Sequence, residues 1–198
     1  MPALAKTRND FLNVLADCRV LYRYCLAPRG QHSDPGVEAA FLQMFKGWES
    51  FQEDCTIAFM SGRLRIDGKS VACFLRADDE ERARILLHQD RRFVEWTDVD
   101  KVIERWDRLF RPPSLLVGAV KPATTEMRQM AVVRNAIAHS SHHATERFKD
   151  LLQKQFGGKP SIGRPSQFLY AKYPPDPART YFDRYADVLE VVANGMSG

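Results

Sequence analysis

The sequence predicts an all-α fold, a helical bundle with one short irregular insertion around residues 61–76. Apolar residues recur at spacings of three and four along most of the 198 residues, which is the period of an amphipathic helix. Pro and Gly residues separate these stretches at intervals that suit helices joined by short connections. Hydrophobic residues make up 44% of the chain, enough for an apolar core, and the length suits a single domain over residues 1–198.

Two helices are predicted at the N-terminal end. Residues 8–27 carry an amphipathic pattern that ends at Pro28. Residues 36–60 carry the clearest pattern in the chain, an apolar seam of the kind found in helical bundles. A seam of this length is not stable alone, so this helix must pack on others. The seam consists of Val37, Phe41, Met44, Trp48, Phe51, Cys55 and Ala58.

The insertion follows the second of these helices. Short apolar stretches flank the turn dipeptide Asp67-Gly68, a combination that favours a hairpin. Acidic residues from Asp78 to Glu81 then favour a helix over 79–89, because a helix N-terminus attracts negative charge. Further helices are expected over residues 99–111, 122–139, 148–156 and 177–193, with a connection rich in Gly and Pro at 157–177.

The positive charge of the chain is concentrated in its last third. Residues 121–198 contain 11 Lys and Arg against 7 Asp and Glu, which accounts for the whole net charge of +4. This distribution permits an anionic partner. No apolar run reaches the roughly 18 residues of a membrane helix, and the N-terminal residues lack a secretory signal pattern. We therefore expect a cytoplasmic protein with no membrane partner.

The cysteines do not form a metal-binding pattern. Cys18, Cys25, Cys55 and Cys73 have no C-x-x-C spacing and no His at the spacing of a zinc finger. This predicts buried thiols in a reducing compartment, with no metal and no cofactor.

One charged side chain interrupts the apolar stripe of the helix over 122–139. Arg134 falls on the stripe that also contains Met130. An Arg that faces a bundle interior or a cleft must be paired or bind an anion. Asn135 and His139 stand four residues apart and share a face. The side chains of Arg134 and His139 are expected to converge, because Arg is long and His139 lies at the helix end.

The segment Arg134-Asn135-Ala136-Ile137-Ala138-His139 resembles the Arg-x4–6-His motif of the HEPN superfamily in its Arg-Asn-x3-His form. The order of helices is also similar, and the likeness is greatest to the RiboL-PSP type. Composition predicts about 1.5 chance matches to the looser pattern, and Arg82 with His88 is one. Requiring Asn after Arg lowers the expected number to about 0.03 and leaves Arg134 alone.

This resemblance implies a metal-independent endoribonuclease that works as a homodimer with the motif at the interface. His139 would move a proton to or from RNA, and Arg134 would stabilise charge on the phosphorane. Asn135 would orient His139 or contact phosphate. The resemblance also implies a toxin or phage-defence role with an antitoxin protein as partner. The alternative is a catalytically silent HEPN-like module that binds RNA or a nucleotide, or only dimerises.

Departures from some relatives limit what the resemblance implies. An acidic residue and a Lys upstream of the motif Arg are replaced here by Gln129 and Val133. A Tyr that some toxin members carry two residues after the His is Ser141 here. Regulation by modification of that Tyr is therefore not expected.

Several other residues have two interpretations that remain open. His142 and His143 are either exposed residues of the next helix or auxiliary RNA contacts. Glu49 is either part of a surface or structural pairing or a carboxylate that contacts Arg134 from behind the site. Basic and aromatic residues of segment 157–173 either bind single-stranded RNA or pack back on the bundle. The candidates in that segment are Lys159, Arg164, Tyr170 and Lys172.

Overall fold

Helices dominate the part of the chain that the structure describes, which confirms the all-α prediction. The computed structural model describes residues 2–26, 34–63, 65–66, 69–89, 94–112, 114–157 and 162–196. The helices are α1 (Pro2–Cys25), α2 (Asp34–Met60), α3 (Glu80–His88), α4 (Val99–Leu109), α5 (Leu115–Val120), α6 (Thr124–Ala138), α7 (His142–Phe156), α8 (Pro165–Tyr170) and α9 (Tyr181–Gly195), with a 3₁₀ turn at Lys121–Ala123.

Two short antiparallel hairpins interrupt the helices. Strands β1 (Arg65–Ile66) and β2 (Lys69–Ser70) form the hairpin that the insertion predicts, although its turn dipeptide lies outside the described residues. Strands β3 (Lys172–Tyr173) and β4 (Asp176–Thr180) form a second hairpin with an irregular register. This second hairpin, and helix α8 before it, were not predicted from the Gly- and Pro-rich composition of their segment.

The chain divides into two compact units. The first unit comprises Met1–Asn13, Gly47–Thr125 and Glu190–Gly198, and the second comprises Val14–Lys46 and Glu126–Leu189. A single domain over residues 1–198 stays a prediction.

Aromatic side chains from several helices form the core of the first unit. Phe11 of α1 stacks on Phe51 of α2 with ring centroids 5.0 Å apart. Trp106 of α4 is fully buried, and its indole Nε1 donates a hydrogen bond to Oγ1 of Thr56 at 2.8 Å. Thr56 donates in turn to the carbonyl of Gln52 at 2.7 Å. The polar atoms that this core buries are thus bonded within it, as buried donors require.

Helix α9 lies at the centre of the second unit's core. Phe182 stacks on Tyr22 of α1 at a centroid distance of 4.0 Å, and the Tyr22 hydroxyl donates to Oγ1 of Thr180 at 2.9 Å. Thr180 caps α9, since its Oγ1 accepts from the backbone N–H of Asp183 and its own N–H donates to the Asp183 carboxylate. Because of this cap the helix begins at Tyr181, and the predicted start at Pro177 is wrong. Pro177 lies in β4 instead.

None of the helices in the described part of the chain combines the length and the apolar character that crossing a bilayer needs.

The bond between Trp106 and Thr56 generates a stability prediction. Thr56→Val keeps the side-chain shape but leaves the buried indole N–H without an acceptor, so we expect a loss of about 1–3 kcal/mol in the free energy of unfolding. Urea unfolding of Thr56→Val, Trp106→Phe and the double variant measures this. The double variant should lose less than the two single losses together, and strict additivity would contradict the assignment.

Candidate functional site

Helix α6, which carries the Arg–Asn–x3–His segment, is anchored to α9 within the second unit. The Tyr185 hydroxyl donates to Oε1 of Gln129 at 3.1 Å, and the guanidinium of Arg184 contacts the carboxylate of Glu126. The buried face of α6 consists of Met127, Met130 and Val133. Polar and apolar contacts together therefore fix the rotation of α6 about its axis, which decides where the motif residues point.

Helix α7 is anchored to the same helix. The Tyr181 hydroxyl donates to Oε1 of Gln155 at 2.9 Å, and Phe156 meets Tyr181 edge-on at 5.8 Å. Burial raises the pKa of Tyr185 well above its usual value of 10 and raises that of Tyr181 to about 12. Both hydroxyls therefore remain protonated donors at neutral pH, and neither anchor depends on pH in that range.

The end of α6 and the start of α7 are joined by the three exposed residues 139–141. The N–H of His139 still donates to the carbonyl of Asn135 at 3.0 Å, so the first of these residues continues the helical bonding. Ser141 caps α7, since its Oγ accepts from the N–H of Ala144 at 3.2 Å. These bonds at both helix ends hold the backbone of His139 in place while its side chain stays exposed.

The structure brings the three motif side chains together. Nη1 of Arg134 lies 3.2 Å from Nε2 of His139 and donates to Oδ1 of Asn135 at 3.1 Å. Asn135 thus contacts Arg134 and not the imidazole, although the sequence placed Asn135 and His139 on one face. Arg134 is half-buried at the edge of the packed face of α6, and His139 is exposed.

The contact between Arg134 and His139 is a hydrogen bond in only one tautomer of the imidazole. A guanidinium has donors but no acceptor and is always charged. A hydrogen bond between the two side chains therefore needs Nε2 as the acceptor, in the tautomer that carries its proton on Nδ1. In this arrangement His139 directs a lone pair toward the cationic side chain and presents an N–H on its other ring nitrogen.

Arg134 has no carboxylate partner among the residues that the structure describes. Its hydrogen-bond partners among these residues, Asn135 and His139, carry no negative charge, so neither of them competes with an anion for the guanidinium. Glu49, the predicted carboxylate neighbour, accepts instead from Oγ1 of Thr97 at 2.5 Å. This bond supports the structural-pairing interpretation of Glu49, and its contact with Arg134 stays a prediction.

The two histidines after the motif open α7. His142 and His143 are its first two residues, and both are exposed. A hydrogen bond from Lys149 and the charge of its ammonium lower the pKa of Glu146, and the nearby His142 acts in the same direction. This matches the interpretation of both histidines as exposed first-turn residues, and their contact with RNA stays a prediction.

The basic and aromatic segment before β3 is placed only in part. Arg164 lies 3.3 Å from the carboxylate of Asp34, Tyr170 is half-buried, and Lys172 is exposed. Lys159 lies outside the described residues. Two further aromatic residues of the segment pack back on the second unit, since Phe168 is fully buried and Tyr173 meets Tyr181 edge-on at 5.3 Å.

Sequence reasoning did not find the residues that hold α6 in place. Gln129 was considered only as a departure from relatives, yet it accepts the bond from Tyr185. A signal exists in retrospect, because Gln129 is a polar residue one position before Met130 on the packed side of the helix. Its partner lies 56 residues away, and no local pattern identifies that pairing.

The four cysteines and the acidic residues carry side chains of the types that can ligate a metal ion. Cys18, Cys25 and Cys55 are buried, Cys73 is half-buried, and all four thiols are free. Burial raises the pKa of the Cys18 thiol to about 11, which keeps it protonated at neutral pH. Within the described ranges, no group of three or more His, Cys, Asp or Glu residues is arranged to hold a metal ion.

Comparison of the chain with protein-family models, curated proteins and solved structures finds no match.

The tautomer of His139 is a testable property of this site. At a pH where the ring is neutral, we expect the proton on Nδ1, because Arg134 donates to Nε2. Long-range proton–nitrogen NMR spectra of the imidazoles measure this directly. Arg134→Ala should return His139 to the Nε2–H tautomer that free histidine favours, and the exposed His143 serves as the internal control. A wild-type spectrum with the proton on Nε2 would contradict the assigned contact.

Proposed function

We propose that the chain is a metal-independent endoribonuclease of the HEPN type, with Arg134 and His139 as its catalytic pair. One observation carries the proposal. A guanidinium without a carboxylate partner among the described residues lies 3.2 Å from an exposed imidazole nitrogen. A base beside a free cation is the combination that cleavage of RNA by its own 2′-hydroxyl needs, since one removes a proton and the other stabilises the phosphorane.

The reaction follows from these two groups. The Nε2 atom of His139 exchanges its bond with Arg134 for one with the ribose 2′-hydroxyl and takes its proton. The 2′-oxygen then attacks phosphorus, and Arg134 donates to the phosphorane oxygens as negative charge develops. The bond from phosphorus to the 5′-oxygen breaks, and that oxygen takes a proton from an acid. The products are a 2′,3′-cyclic phosphate and a 5′-hydroxyl.

Asn135 acts through Arg134 in this proposal. Its Oδ1 accepts from Nη1, which limits the positions that the flexible guanidinium takes before substrate binds. A guanidinium held in one place loses less side-chain entropy when it binds the phosphorane. Asn135 is therefore a positioning residue in this proposal, and its orienting of His139 or its contact with phosphate stays a prediction.

The acid comes from a second copy of the chain in this proposal. The contact with Arg134 involves one imidazole in each copy, and one His139 cannot be base and acid at the same moment. A homodimer that faces the two motifs across a cleft would supply a protonated ring, the partner subunit's His139. Action as a toxin or phage-defence effector in the cytoplasm, restrained by an antitoxin protein, belongs to the same proposal and rests on the family resemblance.

One observation favours a second candidate function. The lone pair of His139 is already occupied by Arg134. If substrate does not displace this bond, the site binds a phosphate through Arg134 without cleaving it. The chain would then be a catalytically silent HEPN-like module that binds RNA or a nucleotide, or one that only dimerises.

Cleavage of single-stranded RNA in EDTA tests the proposed activity. We expect cleavage without metal, and a rate at least about 100-fold lower for His139→Ala and Arg134→Ala, because each variant removes a group that acts in the transition state. Arg82→Ala, from the second Arg–His pair of the sequence, is the matched control and should keep full activity. RNA binding without cleavage by the wild type would favour the silent module, and equal cleavage by His139→Ala would reject the assigned site.

Binding of RNA by the segment before β3 is a separate prediction. Lys172 is exposed, whereas Arg164 already contacts Asp34. Lys172→Glu should therefore weaken binding of single-stranded RNA more than Arg164→Glu does, by several-fold in low salt. Fluorescence anisotropy measures this, with Lys149→Glu on α7 as a control for a charge change elsewhere. Equal affinities for all three variants would contradict a role of this segment.

A further inference from the structure

The first unit contains a groove of about 270 Å³ whose walls come from α3, α4 and the chain after β2. Five of the residues that line it are aliphatic, and they form a mostly apolar floor. These residues are Leu75, Leu86, Leu87, Val94 and Leu109. A concave apolar surface of this size accommodates one or two aliphatic side chains of another molecule.

Exposed apolar side chains are frequent in the segments that form this groove. Six large apolar residues are exposed in the described part of the chain, and three of them belong to α3 or to the chain after β2. Leu75 lines the groove at 40% exposure, and its neighbour Phe74 is 58% exposed. Ile85, at 51%, precedes the two leucines that α3 contributes. Neighbouring exposed apolar residues are typical of an interaction surface, whereas isolated ones are ordinary.

Helix α4 adds a row of cations to the same groove. Lys101, Arg105 and Arg108 line it and stand four and three residues apart, so they share one face of the helix. Among the described residues, Glu104 is the single acidic residue that lines the groove. The cationic side of the groove therefore calls for acidic residues on whatever binds there.

The internal partners of these cations are weak competitors for such residues. Lys101 contacts Glu95 at 2.9 Å, and Arg108 contacts Glu104, but all four side chains are exposed. Exposed ion pairs contribute little to stability and exchange readily. Arg105 lies with its guanidinium 4.7 Å above the ring of Trp96, which orients it beside the groove. Carboxylates of a partner can therefore replace the internal ones on Lys101 and Arg108 at little cost.

We propose that this groove binds an acidic amphipathic helix of a protein partner, with aliphatic side chains seated in it and carboxylates on the α4 row. The lining distinguishes this occupant from RNA. Bases bind by stacking on exposed aromatic rings, whereas the residues that line the groove are aliphatic, polar or charged. The ring of Trp96 is buried, and the exposed ring of Phe74 already lies 5.5 Å from the guanidinium of Arg111. The proposal shares no residue with the Arg134–His139 site and does not depend on nuclease activity.

Two labelled helical peptides test it with the full chain. Both carry Leu at positions one, five and eight, flanked by Glu in one peptide and by Lys in the other. Fluorescence anisotropy should show the Glu peptide binding at least about tenfold more tightly. Lys101→Glu with Arg108→Glu should reverse this preference, which a misfolded variant would not do. Leu75→Ser should weaken both peptides, and Arg147→Glu with Lys149→Glu on α7 should change neither.

Three results would overturn the proposal. The first is no binding of either peptide up to about 1 mM. The second is an unchanged preference in the Lys101→Glu, Arg108→Glu protein. The third is a single-stranded RNA that competes with the Glu peptide and loses affinity in that variant, since the groove would then be a nucleic-acid surface.

Discussion

Burial of the aromatic face of α9 is the constraint on which the second unit depends. Tyr181, Phe182 and Tyr185 are fully buried, and each contacts a different neighbour. Phe182 stacks on Tyr22 of α1, while the hydroxyls of Tyr181 and Tyr185 bond to α7 and α6. A buried hydroxyl must find an acceptor, so the apolar packing and the two hydrogen bonds cannot be satisfied separately. A shift of α9 would therefore displace both α6, which ends at the candidate site, and α7, which begins just after it.

The local part of the structure could be predicted from the sequence. The apolar seam of α2 has one periodicity over its whole length, so its existence follows from residues 36–60 alone. The convergence of Arg134 and His139 is also local, because five residues of helix and one long side chain decide it. The start of α9 was misplaced since Pro177 is a common first helical residue. The cap that Thr180 forms with Asp183 prevailed over that signal.

The remaining features depend on pairs of residues that are distant in the chain. Nothing near Gln129 indicates that Tyr185 will bond to it, and nothing near Glu49 indicates Thr97. A periodic pattern shows which face of a helix is buried, but not which residue of another element it meets. The groove beside α4 also depends on distant residues. Its cations follow one another along α4, but its aliphatic residues come from α3, from α4 and from the chain on both sides of α3. Such sites become visible only when the elements are assembled.

The state of Arg134 also bears on why the proposed site is chemically usable. Where a carboxylate pairs with a cation in the second unit, as Glu126 does with Arg184, the carboxylate neutralises the positive charge within the fold. Among the described residues, Arg134 instead contacts an amide and an imidazole, which hold its geometry without cancelling its charge. A carboxylate in place of the amide or the imidazole would bind the guanidinium more strongly, but it would repel a phosphate and compete with it for the guanidinium. A neutral amide and a neutral imidazole avoid both effects, and only the imidazole can also move a proton.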